Sequence, residues 1–172
     1  EKSAAWQHDA LRLKLRIDRI DLDAQGSLII VDYKSGKLPK VEWDAERQDQ
    51  SQLMLYLQAL EQAGETRPAG ALLFGAINID ETRYSGIGVS DDIYPGIGFD
   101  TKHQLDFPHW QALLEYWRTG LQTLADEYLA GNAAVEPLRK TSCDHCHLDA
   151  LCRIGERRSL TGTEALEDGD ES

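Results

Sequence analysis

Apolar and polar residues alternate strictly from Leu11 to Asp18, with Leu11, Leu13, Leu15 and Ile17 set against Arg12, Lys14, Arg16 and Asp18. A period of two predicts a half-buried strand. Asp23 to Ser27 (DAQGS) is a turn signal. The next stretch, Leu28 to Lys34 (LIIVDYK), is apolar on both faces at first and predicts a central strand, closed by SGKLP. Asp44 then stands as an N-cap for a helix over residues 45–63, striped by Leu53, Leu57 and Leu60 and ended by Gly64. Residues 69–79 read as a further strand and residues 83–89 as its hairpin partner. Asp91 to Lys102, rich in Gly and Asp, reads as loop. Phe107-Pro108 opens a second helix to about Ala130, with Trp110, Leu113, Leu114, Trp117, Leu121, Leu124 and Tyr128 at helical spacing and Gly131-Asn132 at its end. The order predicts an α/β domain, a mixed central sheet flanked by helices, followed by a Cys-rich segment.

The two strands at the start raise a chemical question. Asp32 and Lys34 lie two apart on a strand and so share a face, at the end of a run suited to a core. A turn centred near Ala24–Gln25 places Asp18 opposite Val31 or Asp32, which brings two carboxylates together. Like charges facing across strands destabilise a sheet. A divalent cation is the natural compensation, because Mg²⁺ takes one or two carboxylates together with water and phosphate oxygens. Lys34 beside it could position or deprotonate a water or stabilise phosphoryl charge. Asp-x-Lys alone is common by chance and reads equally as a solvated pair at a strand end. The buried run before it and the register of Asp18 tip the balance. So do Gln52 and Tyr56, an i, i+4 pair on the helix that follows. Asp21, three residues after Asp18, falls on the opposite face and is left out.

Composition changes this picture in two ways. The chain has 172 residues, 41% of them hydrophobic, enough for one domain with a real core. Its formal charge is −12, which by itself argues against nucleic acid. Five acidic residues of that total lie in the tail from Glu164 to Glu171, which reads as disordered, and metal-dependent nuclease sites are themselves acidic. No apolar stretch approaches the roughly 18 residues of a membrane span, and the charged start carries no signal peptide. The chain begins at Glu1 and is expected to be a fragment of a larger protein, so that much of any DNA grip lies elsewhere in the parent.

All three cysteines fall between positions 143 and 152, spaced C-x2-C-x5-C. This argues against a disulfide framework and for a reducing, cytoplasmic compartment and a metal or cluster site. Zinc could take His145 or His147 as a fourth ligand, whereas an iron–sulfur cluster normally wants a fourth cysteine. The Trp110/Trp117 stripe is read as core, and His103 and His109 as structural or exposed. GIGVSDDIYPGIG lacks the strand–helix context of a dinucleotide site, and no Walker A sequence occurs, so an ATP motor is expected in another part of the protein or in a partner.

LRIDRIDLDAQGSLIIVDYKSGK followed by RQDQSQLMLYLQAL resembles the PD-(D/E)XK nuclease superfamily, in its RecB-like exonuclease branch. That branch carries a G-x-I-D-R-I-D strand, a D-Y-K-T/S-G strand and a Q-L-x-x-Y helix. The glycine is replaced here, in Leu15-Arg16-Ile17-Asp18. The resemblance covers about residues 11–60. It implies a restriction-endonuclease-like fold, Asp18 and Asp32 as ligands of Mg²⁺ or Mn²⁺, Lys34 as the catalytic lysine, and Gln52 and Tyr56 as an accessory pair. It also implies an upstream acidic residue or histidine, for which Glu1 and His8 are the candidates in this chain, although it is rather expected to be cut away or only partly retained here. CDHCHLDALCRI, after LADEYLAGNAAVEP, resembles the end of AddB-type nucleases of DNA repair. By that resemblance Cys143, Cys146 and Cys152 are ligands of a [4Fe-4S] cluster in the full-length protein, whose fourth cysteine would precede the domain. Implied too are DNA as substrate, a helicase subunit or domain as partner, and division into a nuclease core (1–140), a cluster-binding segment (141–158) and an acidic tail (159–172). Two functions follow: a metal-dependent DNA exonuclease, or a silent nuclease fold that binds DNA ends or acts as scaffold. A zinc-binding interaction domain is a more remote third.

Overall fold

In a computed structural model, residues 1–77, 82–138, 140–144, 146–154 and 156 are described. The chain divides into two units, Glu1–Ala130 and a second from Gly131 onward.

The first unit opens with a strand the hydrophobic pattern did not announce. β1 (Lys2–His8) pairs antiparallel with β2 (Leu11–Ile17), in register from Lys2↔Ile17 to His8↔Leu11. Asp9 turns the hairpin with φ 48°, a left-handed conformation that a short polar side chain tolerates. β1 was hard to read because Trp6 is its one fully buried residue. The run then leaves this sheet. β3 (Arg19–Leu22) pairs antiparallel with β4 (Leu28–Lys34), Arg19 facing Val31. What reads as one strand and its hairpin is two strands in two sheets, and Asp18 is the residue between them.

The second sheet runs β3-β4-β5-β6, where β5 is Ala69–Ala76 and β6 is Tyr84–Gly88. β4 and β5 are parallel, and their crossover contains helix α1 (Gln52–Gln62). The other pairs are antiparallel, so the sheet is mixed as expected. The pleat sorts residues onto two faces. Ile30, Leu72, Phe74 and Ile87 join the larger core beneath α1 and α2 (Trp110–Leu129). Val31, Ala71 and Leu73 form a smaller core on the other face, covered by Ile93, Tyr94 and Ile97 from the loop after β6. The helices thus flank one face, and a loop covers the other.

α1 starts at Gln52, later than the expected Ala45, and Asp44 is not its N-cap. The intervening segment has another task. Trp43 is 4% exposed, and its carbonyl accepts from Trp117 Nε1 at 2.7 Å. Tyr116 donates to the Asp44 carbonyl, and the buried Gln48 to that of Ala45. Carbonyls that a helix would have used are claimed by side chains. α2 begins after His109, whose Nδ1 accepts from Ala112 N, slightly past Phe107-Pro108. Trp110 and Trp117 lie in the core as read, whereas Tyr128 is 70% exposed. Residues 91–102 contain no helix or strand apart from the isolated bridge between Gly88 and Gly98. In the second unit a 3-10 turn spans Lys140–Cys143 and the short α3 spans Asp149–Cys152. Residues 78–81, which include the end of the expected strand at Ile79, and the acidic tail lie outside the described residues.

Gly86 is where the sheet admits no side chain. A Cβ there would stand 2.1 Å from the Leu72 carbonyl oxygen and 2.8 Å from Leu73 Cα, both backbone. Gly86→Ala is therefore expected to cost at least about 1–3 kcal/mol, the range for overpacking. Gly120→Ala, in α2 with nothing within 4 Å, should instead stabilise by about 0.5–1 kcal/mol. Urea midpoints of the two variants check this, and an unshifted Gly86→Ala midpoint would contradict the described seat of β6 on β5.

Candidate active site

The site grows out of the β4 pleat. Ile30 points into the larger core, so by the period of two Asp32 and Lys34 follow in that row. α1 crosses this face as the β4–β5 connection, and its first turn delivers Gln52 and Tyr56 over the end of the row. Asp32 is 3% exposed. Its Oδ1 accepts from Gln52 Nε2 at 2.8 Å and from Tyr56 OH at 3.2 Å. Gln52 faces both ways: its Oε1 accepts from Lys34 Nζ at 2.7 Å, and its Nε2 also reaches Tyr56 OH at 2.6 Å. Burial, foremost, raises the Tyr56 pKa from its ordinary value, helped by the Asp32 and Asp18 carboxylates, while the Gln52 hydrogen bond opposes the shift. Tyr56 thus remains a protonated donor.

Asp32 Oδ2 is different. It is buried and receives no hydrogen bond. Lys34 Nζ lies 2.7 Å from it but off hydrogen-bond alignment, so it offers charge without a directed bond. The ammonium also sits 5.4 Å from the centroid of Phe74, which pairs with Asp32 across β4–β5. A buried acceptor left unbonded costs about 1–3 kcal/mol. A hard cation is the kind of group this oxygen suits, and the donor set fits one: a second carboxylate lies alongside. Asp18 Oδ2 accepts from Tyr33 N at 2.9 Å, and the Arg19↔Val31 pair puts Asp18 one rung away on the Asp32 side. That register sets Asp18 just beyond the paired rungs, next to Asp32. Asp21, set aside in the sequence, pairs with Arg19.

The upstream candidates separate. Lys2 pairs with Ile17, so Glu1 ends β1 beside Asp18, where it forms an ion pair with Arg16 at 2.6 Å. His8 is at the opposite end of the hairpin, stacked on Trp6 and 2.6 Å from Asp126 of α2. It is too remote to complete the Asp18–Asp32 group. His8, Asp9 and Asp126 form a separate acidic group that could hold a metal ion, with ligand atoms within 4.8 Å of one another. The sequence did not signal it, because the residues come from two distant segments.

Cys143, Cys146 and Cys152 are half-exposed. Among the described residues their sulfurs do not gather within 4.8 Å of one another. Thiolates suit zinc or an iron–sulfur cluster, but the three here do not form a ready cradle. His147 is exposed, and His145 lies outside the described residues. His103, read as a lone residue, sits in a wall beside Lys34: its Nε2 donates to the Gly86 carbonyl.

Comparison with known proteins adds an independent line. The chain is 28% identical to an ATP-dependent helicase/deoxyribonuclease subunit of Alkaliphilus metalliredigens (strain QYMF), over 85% of this chain and 17% of that protein. The protein of the same name from Clostridium tetani (strain Massachusetts / E88) is 28% identical over 81% of this chain and 16% of its own length. That from Clostridium botulinum (strain Hall / ATCC 3502 / NCTC 13319 / Type A) is 25% identical over 81% and 17%. The chain therefore spans about a sixth of the curated relatives it matches. No solved structure matches it significantly. The profile of the PD-(D/E)XK nuclease superfamily matches residues 2–153, the β4 acidic row and α1 included, and the chain belongs to that superfamily.

Proposed function

We propose that this chain is the nuclease domain of a DNA recombination or repair protein, hydrolysing phosphodiester bonds from DNA ends with Mg²⁺ or Mn²⁺. The observation that carries the reading is Asp32: a buried carboxylate with one oxygen unbonded, beside a lysine held by a glutamine. Nothing in the stability of the fold asks for this arrangement, which favours an enzyme over a silent scaffold. Superfamily membership supports nuclease chemistry. The names of the relatives support DNA as substrate and a helicase subunit or domain as partner. No helix among the described residues is long and apolar enough to cross a membrane. A cytoplasmic setting completes the reading.

In this reading Asp18 and Asp32 hold the cation. A divalent cation bound there supplies Lewis-acid polarisation of a phosphoryl oxygen. Lys34 holds its proton at Nζ and faces the phosphoryl charge that builds up during hydrolysis. Gln52 is the positioning residue: its carbonyl oxygen fixes the Lys34 ammonium while its amide nitrogen fixes Asp32. Tyr56 closes the arrangement from below through the same Asp32 oxygen. Residues 1–140 form the nuclease core in this assignment. In the full-length protein Cys143, Cys146 and Cys152, within residues 141–158, would serve a [4Fe-4S] cluster once brought together and completed by a cysteine from elsewhere, and residues 159–172 are assigned to an acidic tail.

End-labelled linear DNA should be degraded in Mg²⁺ or Mn²⁺ and left intact in EDTA. Lys34→Ala should lower the rate about 10²–10³-fold, the range for a lost donor to developing charge, and Asp32→Ala should abolish cleavage. Activity that survives both substitutions would remove this site from the assignment. Gln52→Ala, acting through its neighbours, should cost about 10–100-fold in kcat or in Mn²⁺ affinity, the latter read by calorimetry without DNA. An unchanged value of both would sink the positioning role.

Asp32→Asn separates function from stability. It removes a buried charge with an unmade hydrogen bond, a burden of about 1–3 kcal/mol. The lost pairing is with Lys34, which is 32% exposed against 4% for Asp32 and still held by the Gln52 carbonyl oxygen, so the desolvation relieved at the carboxyl offsets the attraction lost. The variant should therefore be inactive yet at least as stable as the wild type in urea unfolding. A marked destabilisation would mean that the carboxylate is structural.

A further inference from the structure

β2 carries a row of cations that runs toward the acidic site. Leu11, Leu13 and Leu15 pack against the larger core, so Arg12, Lys14 and Arg16 stand together on the opposite, exposed face. Across the hairpin their partners on β1 are Gln7, Ala5 and Ser3, in that order. The face is three cations beside one amide and two small side chains, in a chain with 30 acidic and 18 basic residues. Acids occur in the hairpin only at its ends, Asp9 in the turn and Glu1 before β1. Glu1 pairs with Arg16, but both side chains are largely exposed, so a phosphate can take the place of the carboxylate. Among the described residues neither Arg12 nor Lys14 has an acidic partner. Arg19, Arg67 and Arg118, by contrast, each sit on a carboxylate.

Alternate residues of a strand are about 7 Å apart, within the screening length of about 8 Å, so the three charges repel one another. Charge on an exposed strand also blunts unwanted pairing, but either sign serves that end, and mixed signs would do so without repulsion. A single sign suits a polyanion. The direction of the row selects which one. β2 ends at Ile17, and Asp18, next in the chain, is the carboxylate beside Asp32. Successive phosphates of an extended single strand are spaced much like the row. A strand with one phosphate at the acidic site can therefore lay the following ones along Arg16, Lys14 and Arg12.

We propose that the exposed face of β2 is a backbone track for single-stranded DNA, on which Arg16, Lys14 and Arg12 hold successive phosphates leading to Asp18. The track rests on the nuclease reading above. Gln7, Ala5 and Ser3 offer no ring for a base to stack on, so the track grips the backbone whatever its sequence.

The test is a salt titration of binding between the protein and a short fluorescent single strand in EDTA, with steady-state cleavage in Mg²⁺ measured in parallel. Each phosphate contact contributes about 0.7 to the magnitude of the slope of log K against log salt for single strands. Arg12→Gln and Lys14→Gln should each lower that magnitude by about 0.7 and raise KM with kcat retained, whereas Arg12→Lys should keep the wild-type slope. Arg67→Gln makes the same change in net charge at the other end of β5 from Lys34 and should leave the slope alone. With a dinucleotide, too short to reach Arg12 from Asp18, Arg12→Gln and the wild type should share one KM. If the wild type cleaves DNA and both β2 glutamine variants keep its slope and KM, or lose no more than Arg67→Gln does, the track falls and the nuclease reading stands. If poly-glutamate binds through Arg12 and Lys14 and the DNA strand does not, the face belongs to an acidic protein and the track falls. If the wild type neither binds nor cleaves DNA, both readings fall.

Discussion

The Asp32 carboxylate, buried at the end of a core row, sets the terms for everything around it. A charge taken out of water is costly unless it is paired and hydrogen-bonded. Here one oxygen is satisfied from α1 and the other is not. The satisfied oxygen dictates where α1 must start, because Gln52 has to reach both Asp32 and Lys34. The segment before the helix must then stay irregular, and Trp43 pins it to the core. The other oxygen faces the Lys34 ammonium without a hydrogen bond and is the clearest trace of chemistry in the fold.

The acidic row could be read from sequence because strand periodicity is a local property. Leu28, Ile30, Asp32 and Lys34 share a face whatever the rest of the chain does. A short turn likewise bound Asp18 to Asp32. Gln52 and Tyr56 were readable as a pair on one helical face, though their targets were not. What escaped was set by distant contacts. The start of α1 moved because Trp117 and Tyr116, far along the chain, take the carbonyls of Trp43 and Asp44. β1 escaped because a strand paired on one side and packed through a single tryptophan leaves little alternation to detect.

Asp18 shows how topology can fix a carboxylate. Ile17 is the last residue of one sheet and Arg19 the first of the next. Between them the backbone changes partners, and the Asp18 side chain takes up the Tyr33 N–H that no strand neighbour holds. The carboxylate is thereby fixed by the same backbone that carries Asp32 and Lys34. Its place depends on β4 and not on a flexible loop, which is the kind of rigidity a metal ligand needs.

The charge of −12 weighs against nucleic acid only as a sum over the whole chain. At physiological ionic strength a surface charge is screened beyond about 8 Å. A phosphate approaching Lys34 therefore responds to the groups within that distance and hardly to carboxylates elsewhere on the chain.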